Sequence, residues 1–487
     1  MENIAFQPEL SPAITTVYGP KEYTEFRATL EEIDRILHES GIEHAFIIRQ
    51  MRLADDAKPS QRQYRKYRSA LRYGILLGIT QFSYRGLAFA VADSNLFQRF
   101  VGAAQIDGVR PLGKSSIERL EKLVSSEEIR NLVDRLNKLA SDEDAARDLL
   151  YRETALRMDS IFADTTCVEA NIHFPVDWVL LRDAAKTLIN AVVLIRSKGL
   201  KHRIAEPRSF LRRMNRLCIE MVNTRRKKDS RKNRKRILRR MKSLMKVIEG
   251  HGRNYRDLLA ESWEQSGFSE AEAQVVLDRI DNILDQLPQA VRQAYERIIG
   301  GRKVASADKI LSLYEPDIHV IVRGKAGAEV EFGNSLYLAE QEDGLIVDWR
   351  MHREKPSSDS RLVKSSLEHI SAVHGKPASY TADRGFDSKE VRQTLEQADV
   401  ANGICPRSPR MFQERLEDDW FCRLQSRRSQ TEARIGIFKN AYLGRPLRSK
   451  GFANRECRIA WCVLSHNLWK LGSIAAEEKL RRSRKTA

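Results

Sequence analysis

The chain lacks any CxxC pair and any Cys/His cluster at zinc-finger spacing; its six cysteines (Cys167, Cys218, Cys405, Cys422, Cys457, Cys462) are scattered over 487 residues. Structural disulfides and structural zinc are therefore not expected. Cys457 and Cys462 stand closest together, in an apolar helical stretch where reduced, buried thiols are expected. No apolar run approaches the roughly 18 residues that would span a bilayer, so no membrane partner is expected. The opening MENIAFQPELSP carries acids and no Lys or Arg before an apolar stretch, unlike a secretory signal. A cytoplasmic protein is the expectation. Internal repeats and low-complexity blocks are absent as well.

Negative charge is scarce in one place above all. Arg196 to Lys242 holds 20 Lys or Arg against Glu206, Glu220 and Asp229, a net +17 within a chain of net +18. Charge this concentrated calls for a polyanionic partner, DNA or RNA being the usual one. Apolar residues recur through the segment at helical spacing (Phe210, Met214, Leu217, Met221, then Ile237, Met241, Leu244, Val247), so it is read as helical and ordered. A solvated face normally mixes signs, whereas the stretch Arg225, Arg226, Lys227, Lys228, Arg231, Lys232, Arg234, Lys235 and Arg236 hardly does. Contact with a DNA backbone is the reading preferred for it.

Residues 1–150 read as helical throughout, with amphipathic stretches at Glu22 to His38 and Gln63 to Ile79 and capping serines at 115 or 116 and at 125 or 126. Short helices broken by Gly and Pro suit a helix-turn-helix as well as any small bundle. From Arg157 the run RMDSIFADTTCVEA suits a strand. Beyond Lys303 the segments HVIVRG, VEFGNSLYLAEQ and GLIVDWRMHRE read as neighbouring strands. A helix near Leu362 to His374 leads to a short strand ending at Asp383, with Asp387 and Glu390 as a capping box for the next helix. Helices at Ser426 to Tyr442 and Asn454 to Leu471 follow, and EEKLRRSRKTA reads as a frayed tail.

Two aspartates therefore fall on strands, Asp164 within one and Asp383 at the end of another. Glu432 sits in QSRRSQTEARIGIFKN, where about 100° per residue places Gln425, Arg428, Glu432 and Lys439 within roughly 60° of one helix face. Oxygen-only carboxylate sets suit two Mg²⁺ or Mn²⁺ ions engaged in phosphoryl transfer. Each acid also has an ordinary reading: a cap or surface acid for the aspartates, an intrahelical salt-bridge ladder for Glu432. Asp359 reads as a turn or helix cap. His173, His352 and His466 are isolated and read as structural.

The runs ADTTCVEANIHFPVD, EPDIHVIVRGKAGAEVEFG, YTADRGFDS, RRSQTEARIGIFKNAYLGRPLRSKG and SHNLWKLG, in this order over Asp159 to Gly472, resemble the DDE transposases of bacterial insertion sequences. The resemblance implies an RNase H-like core with Asp164, Asp383 and Glu432 as a metal-binding triad for two Mg²⁺ or Mn²⁺ ions. It also implies double-stranded DNA partners, namely transposon terminal inverted repeats and target DNA, and a homodimer when assembled on them. Around the glutamate the family carries Tyr-x2-Arg-x3-Glu-x6-Lys, matched here at Arg428, Glu432 and Lys439 with Gln425 in the tyrosine place. A glutamine there can still hydrogen-bond a phosphate oxygen.

The expected fold is thus an α/β RNase H-like domain, a mixed sheet flanked by helices, with an all-helical N-terminal region and a large basic helical insertion. The 219 positions separating Asp164 from Asp383 exceed what a compact core needs. Expected bounds are 1–150 for the N-terminal region, 151–186 with 304–475 for the catalytic domain, 187–303 for the insertion and 476–487 for a basic tail. Alternatives are a nuclease of the same fold and a catalytically inactive, transposase-derived DNA-binding repressor.

Overall fold

The computed structural model describes residues 19–54, 60–105, 107–224, 229–325, 328–354 and 356–486. The chain divides into two compact units, 1–170 with 334–487 and 171–333.

The first unit opens with α1 (Lys21–Glu39), α2 (Ile42–Leu53), α3 (Gln61–Thr80), α4 (Tyr84–Asp93) and α5 (Asn95–Val101). A two-residue hairpin, β1 (Ala104–Gln105) with β2 (Gly108–Val109), interrupts these helices before α6 (Lys114–Glu121), α7 (Ser126–Ala140) and α8 (Glu143–Leu150). Ser125 caps α7 by accepting from Glu128 N, as its position suggests, whereas α6 starts after Gly113 and uses no serine cap. The unit's strands are β3 (Ser160–Glu169), the later part of β5 (Ala328–Glu340), β6 (Ile346–Met351), β7 (Ser379–Ala382) and β8 (Ala401–Asn402), hydrogen-bonded in the order β6–β5–β3–β7–β8. Both β3–β7 and β7–β8 are parallel, and β5–β6 is antiparallel. Helices α13 (Ser360–His374), α14 (Lys389–Gln397), α15 (Pro409–Arg415), α16 (Asp419–Phe438) and α17 (Phe452–Thr486) complete it. This mixed sheet flanked by helices is consistent with an RNase H-like fold.

One core serves the sheet and the N-terminal helices together, running from Leu30 and Ile33 through Ile161, Ala163, Tyr337 and Tyr380 to Trp461 and Leu468. The continuity comes from α17, which packs on α1, α3, α7 and β6. Glycines allow the closest approach. A Cβ on Gly74 would lie 2.6 Å from the Trp461 ring, and one on Gly78 would lie 2.1 Å from Ser465 Oγ. Buried charge is paired: Arg72, 1% exposed, lies 2.5 Å from Glu43 and 2.6 Å from Asp34. The expected frayed tail is instead the end of α17, which carries Lys479 to Glu32 at 2.7 Å.

The second unit is built on α9 (Asp177–Ser197), α10 (Pro207–Asn223), α11 (Ser230–Ser262) and α12 (Glu270–Ala294), with β4 (His319–Lys325) pairing antiparallel to the first part of β5. Helix α9 is the central element, burying Leu181, Ala184, Leu188, Val192 and Ile195 against the other three. On α10 the spacing read from sequence is the buried stripe, Phe210, Met214, Leu217 and Met221. On α11 the stripe runs Ile237, Met241, Leu244, Met245 and Ile248, and Val247 is 48% exposed because it lies one position off the inward face. The unit extends beyond the insertion bounds drawn from composition, since the apolar residues of α9 and of Leu313 belong to its core and carry no charge signal.

Candidate active site

The two aspartates are set side by side by strand register. In the parallel pair β3–β7, Phe162 stands opposite Thr381 and Ala163 opposite Ala382, so Asp164 and Asp383 are the next residues on adjacent strands. Alternation along a strand puts both on the face of Phe162 and Thr381, opposite the face that Ile161, Ala163 and Tyr380 bury in the core. Asp164 Oδ1 accepts from Thr165 N at 2.7 Å, and Asp383 Oδ1 accepts from Gly385 N at 2.8 Å as the chain turns out of the sheet.

Helix α16 lies over that face and is fixed by two stripes. Arg427, Thr431 and Arg434, spaced i, i+4, i+7, converge on the buried Glu340 at the end of β5, at 3.0, 2.7 and 3.3 Å. Arg427 also lies over the Phe162 ring, 4.5 Å from its centroid. The second stripe begins at Gln425. Its Nε2 donates to Gly403 O at 2.6 Å and to Ala382 O at 3.4 Å, and its Oε1 accepts from Arg428 Nε at 3.1 Å. Arg428 Nη1 then donates to Glu432 Oε1 at 3.0 Å. A chain of hydrogen bonds therefore links the residue before Asp383 to Glu432.

The acids feel one another. Burial first, then the negative charge of Asp383 and, more weakly, that of Glu432, push the Asp164 carboxyl up to about 6, against the Thr165 N–H and Arg428. Among the described residues no three His, Cys, Asp or Glu side chains yet converge on one ion position. Glu432 explains this: it is 53% exposed at its side chain and is drawn to Arg428. The donor set nonetheless fits a hard divalent cation, being all oxygen and carrying uncompensated repulsion that such an ion would relieve. Gly385 keeps the space open, since a Cβ there would stand 2.9 Å from Asp383 Oδ1 and 3.3 Å from Asp359 Oδ2.

That proximity places Asp359 beside the site. It occupies the N-cap position of α13 but makes no side-chain cap hydrogen bond, so the cap reading fails for its carboxylate. The capping box expected at Asp387 and Glu390 is replaced by Ser388, which accepts from Val391 N, while Asp387 Oδ2 accepts from Arg407 N at 2.9 Å. Lys439 lies past the α-helical part of α16 in a π-turn, Lys439–Leu443, and is 4% exposed. Of the basic candidates, Arg231, Lys232 and Arg236 are exposed on α11 and Lys235 is half-buried, whereas Arg234 turns inward over Trp178. Arg225, Arg226, Lys227 and Lys228 lie outside the described residues. Sequence reasoning missed Glu340, whose signal was an acid closing the apolar strand SLYLAE with Arg, Thr and Arg at helical spacing further on.

Asp164 within β3 and Asp383 just past the end of the parallel β7 thus stand side by side on one face of the sheet, beneath the helix that carries Glu432. Residues 338–468 match the family described as transposase DDE domain. The chain accordingly carries a DDE transposase domain, and transposases act on DNA. The match contains Asp383, Gln425, Arg428 and Glu432; Asp164 precedes it. No curated protein and no solved structure matches the chain.

Proposed function

We propose that the chain is a DNA transposase that cleaves transposon ends and transfers the strands to target DNA by two-metal-ion phosphoryl transfer. The observation that carries this reading is the register of β3 and β7, with Asp164 and Asp383 adjacent and Glu432 within their field. Asp164, Asp383 and Glu432 would hold the Mg²⁺ or Mn²⁺ ions, which supply an activated oxygen nucleophile and charge neutralisation at the scissile phosphate. Asp383 is held toward that position by Gly385 N, and Arg428, once Glu432 turns to metal, is left with guanidinium N–H groups for a strand phosphate. The exposed cations of α11 would grip flanking DNA through its backbone, and helices in 1–150 would help to recognise the terminal repeats. Strand transfer at two ends suits a homodimer.

The test is incubation of purified protein with Mg²⁺ and labelled duplex carrying the element's terminal repeats. Nicking at the repeat end followed by joining to a target duplex is expected. Binding without nicking supports the inactive repressor instead, and nicking without joining supports a nuclease.

A further inference from the structure

The turn that carries Asp383 out of the sheet is clasped by a side chain that follows the neighbouring strand. Asp383 Oδ1 accepts from Gly385 N, and the carbonyl of that same peptide unit, Arg384 O, accepts from Arg407 Nε at 2.9 Å. Arg407 Nη2 donates to the next carbonyl, Gly385 O, at 2.7 Å. The clasp is reciprocal. At the far end of the turn the buried Asp387 accepts from Arg407 N through Oδ2 at 2.9 Å, while its Oδ1 stands 3.4 Å from Arg392 Nη1 on α14. Arg407 comes after β8, which runs parallel to β7, so both clasped segments leave the sheet at the same end.

Closing the turn does not require the guanidinium. Phe386 N already donates to Asp383 O at 3.2 Å and Asp387 N to Arg384 O at 3.3 Å, and Arg407 is exposed. What the guanidinium adds is direction. Two donors of one rigid fork on two successive carbonyls fix the plane of the Arg384–Gly385 peptide, and with it the line of the N–H that meets Asp383. A cation on the oxygen side of an amide also polarises its N–H and strengthens the bond that the N–H donates. We infer that Arg407 is a positioning residue for the proposed reaction, holding the Asp383 carboxylate in a fixed orientation for a divalent ion through the Arg384–Gly385 peptide. The inference rests on the metal-binding reading of Asp383.

The experiment uses the full-length protein with Mn²⁺ as the probe and compares wild type, Arg407→Gln, Arg407→Lys and Asp383→Asn. Electron paramagnetic resonance of free Mn²⁺ reads metal binding without DNA, anisotropy reads duplex affinity and calorimetry reads folding. Cleavage of the terminal-repeat duplex is followed against Mn²⁺ concentration. Both Arg407 variants should melt within about 3 °C of wild type and bind duplex within about twofold, yet need roughly tenfold more Mn²⁺ to fill the sites that Asp383→Asn loses. Their cleavage should fall at low Mn²⁺ and recover most of its rate at saturation. Lysine keeps the charge but cannot span two carbonyls, so Arg407→Lys should resemble Arg407→Gln. A lysine variant with wild-type Mn²⁺ affinity overturns the role of the fork. Weaker duplex binding with unchanged Mn²⁺ affinity makes Arg407 a phosphate ligand, and a lowered melting transition with unchanged Mn²⁺ affinity makes it a structural clasp; either result overturns the inference and leaves the reading of Asp383 intact. Mn²⁺ binding that is the same in Asp383→Asn and wild type overturns that reading, and the inference with it.

Discussion

Neutralising Asp164 should make the protein more stable, the opposite of the usual effect of altering a half-buried polar residue. The carboxyl has been pushed from its ordinary 3.8 up to about 6 by burial and by Asp383 and Glu432. For an acid whose pKa is raised on folding, stability is full below the unfolded value and is lost as pH rises through the folded one. Holding Asp164 ionised at pH 7 therefore costs about 2–3 kcal/mol, and at pH 5 roughly half of that. Asp164→Asn keeps the shape and removes the charge, so it should raise the melting transition of the first unit by roughly 3–5 °C at pH 7. Wild type should gain stability from pH 7.5 to 5 more than the variant does. Mg²⁺ relieves the same repulsion and should stabilise wild type, leaving Asp164→Asn nearly unmoved. Differential scanning calorimetry at two pH values, with and without Mg²⁺, reads all of this. A variant less stable than wild type at pH 7, or one with an unchanged pH slope, refutes the crowding of Asp164 by Asp383 and Glu432.

Gln425→Ala removes the bonds to Gly403 O, Ala382 O and Arg428 Nε, so strand cleavage should fall about 10–100-fold with DNA affinity unchanged. A loss confined to affinity would instead make Gln425 a phosphate ligand. Gly78→Ala should destabilise by about 1–3 kcal/mol in thermal unfolding, because the added methyl meets Ser465 across α3 and α17; a neutral result refutes the close approach of those helices. Arg72→Met leaves Asp34 without this cation and Glu43 with only the longer contact to Arg68 at 3.7 Å, and about 3–5 kcal/mol of stability should be lost. Replacing Arg231, Lys232 and Arg236 together by Gln should weaken duplex binding and flatten its dependence on log salt by about 0.9 for each phosphate no longer neutralised, while a purely solvated face would show neither change.

How far the sequence carries depends on whether a feature is local. The helices of α10 and α11 were legible because their apolar spacing and charge lie in one continuous segment. The strand positions of Asp164 and Asp383 were legible too, but their adjacency was not, since it is set by pairing across 219 positions. Composition could not show that the N-terminal helices share a core with the sheet, because the shared wall is α17 at the far end of the chain. Helical spacing grouped Gln425, Arg428 and Glu432 correctly on one stripe. It could not say that Gln425 faces the sheet backbone, nor that a π-turn buries Lys439 past the end of the α-helix. Asp359 does stand in a turn at the start of α13, as its sequence context suggests, but helix-start grammar describes the backbone and could not show that its carboxylate lies near Gly385 instead of capping the helix.

Asp164 alone of the three acids precedes the matched DDE domain, so the triad stands or falls on it. The most direct measurement is Mg²⁺-dependent cleavage of the labelled terminal-repeat duplex by Asp164→Asn, beside Asp383→Asn and Glu432→Gln, with binding measured in parallel. Each variant should bind the duplex as wild type does and cut it at least about 1000-fold more slowly, roughly 4 kcal/mol of lost transition-state stabilisation. Cleavage by Asp164→Asn at the wild-type rate, with the other two inactive, would contradict the assignment of Asp164 and leave the register of β3 and β7 without a catalytic meaning.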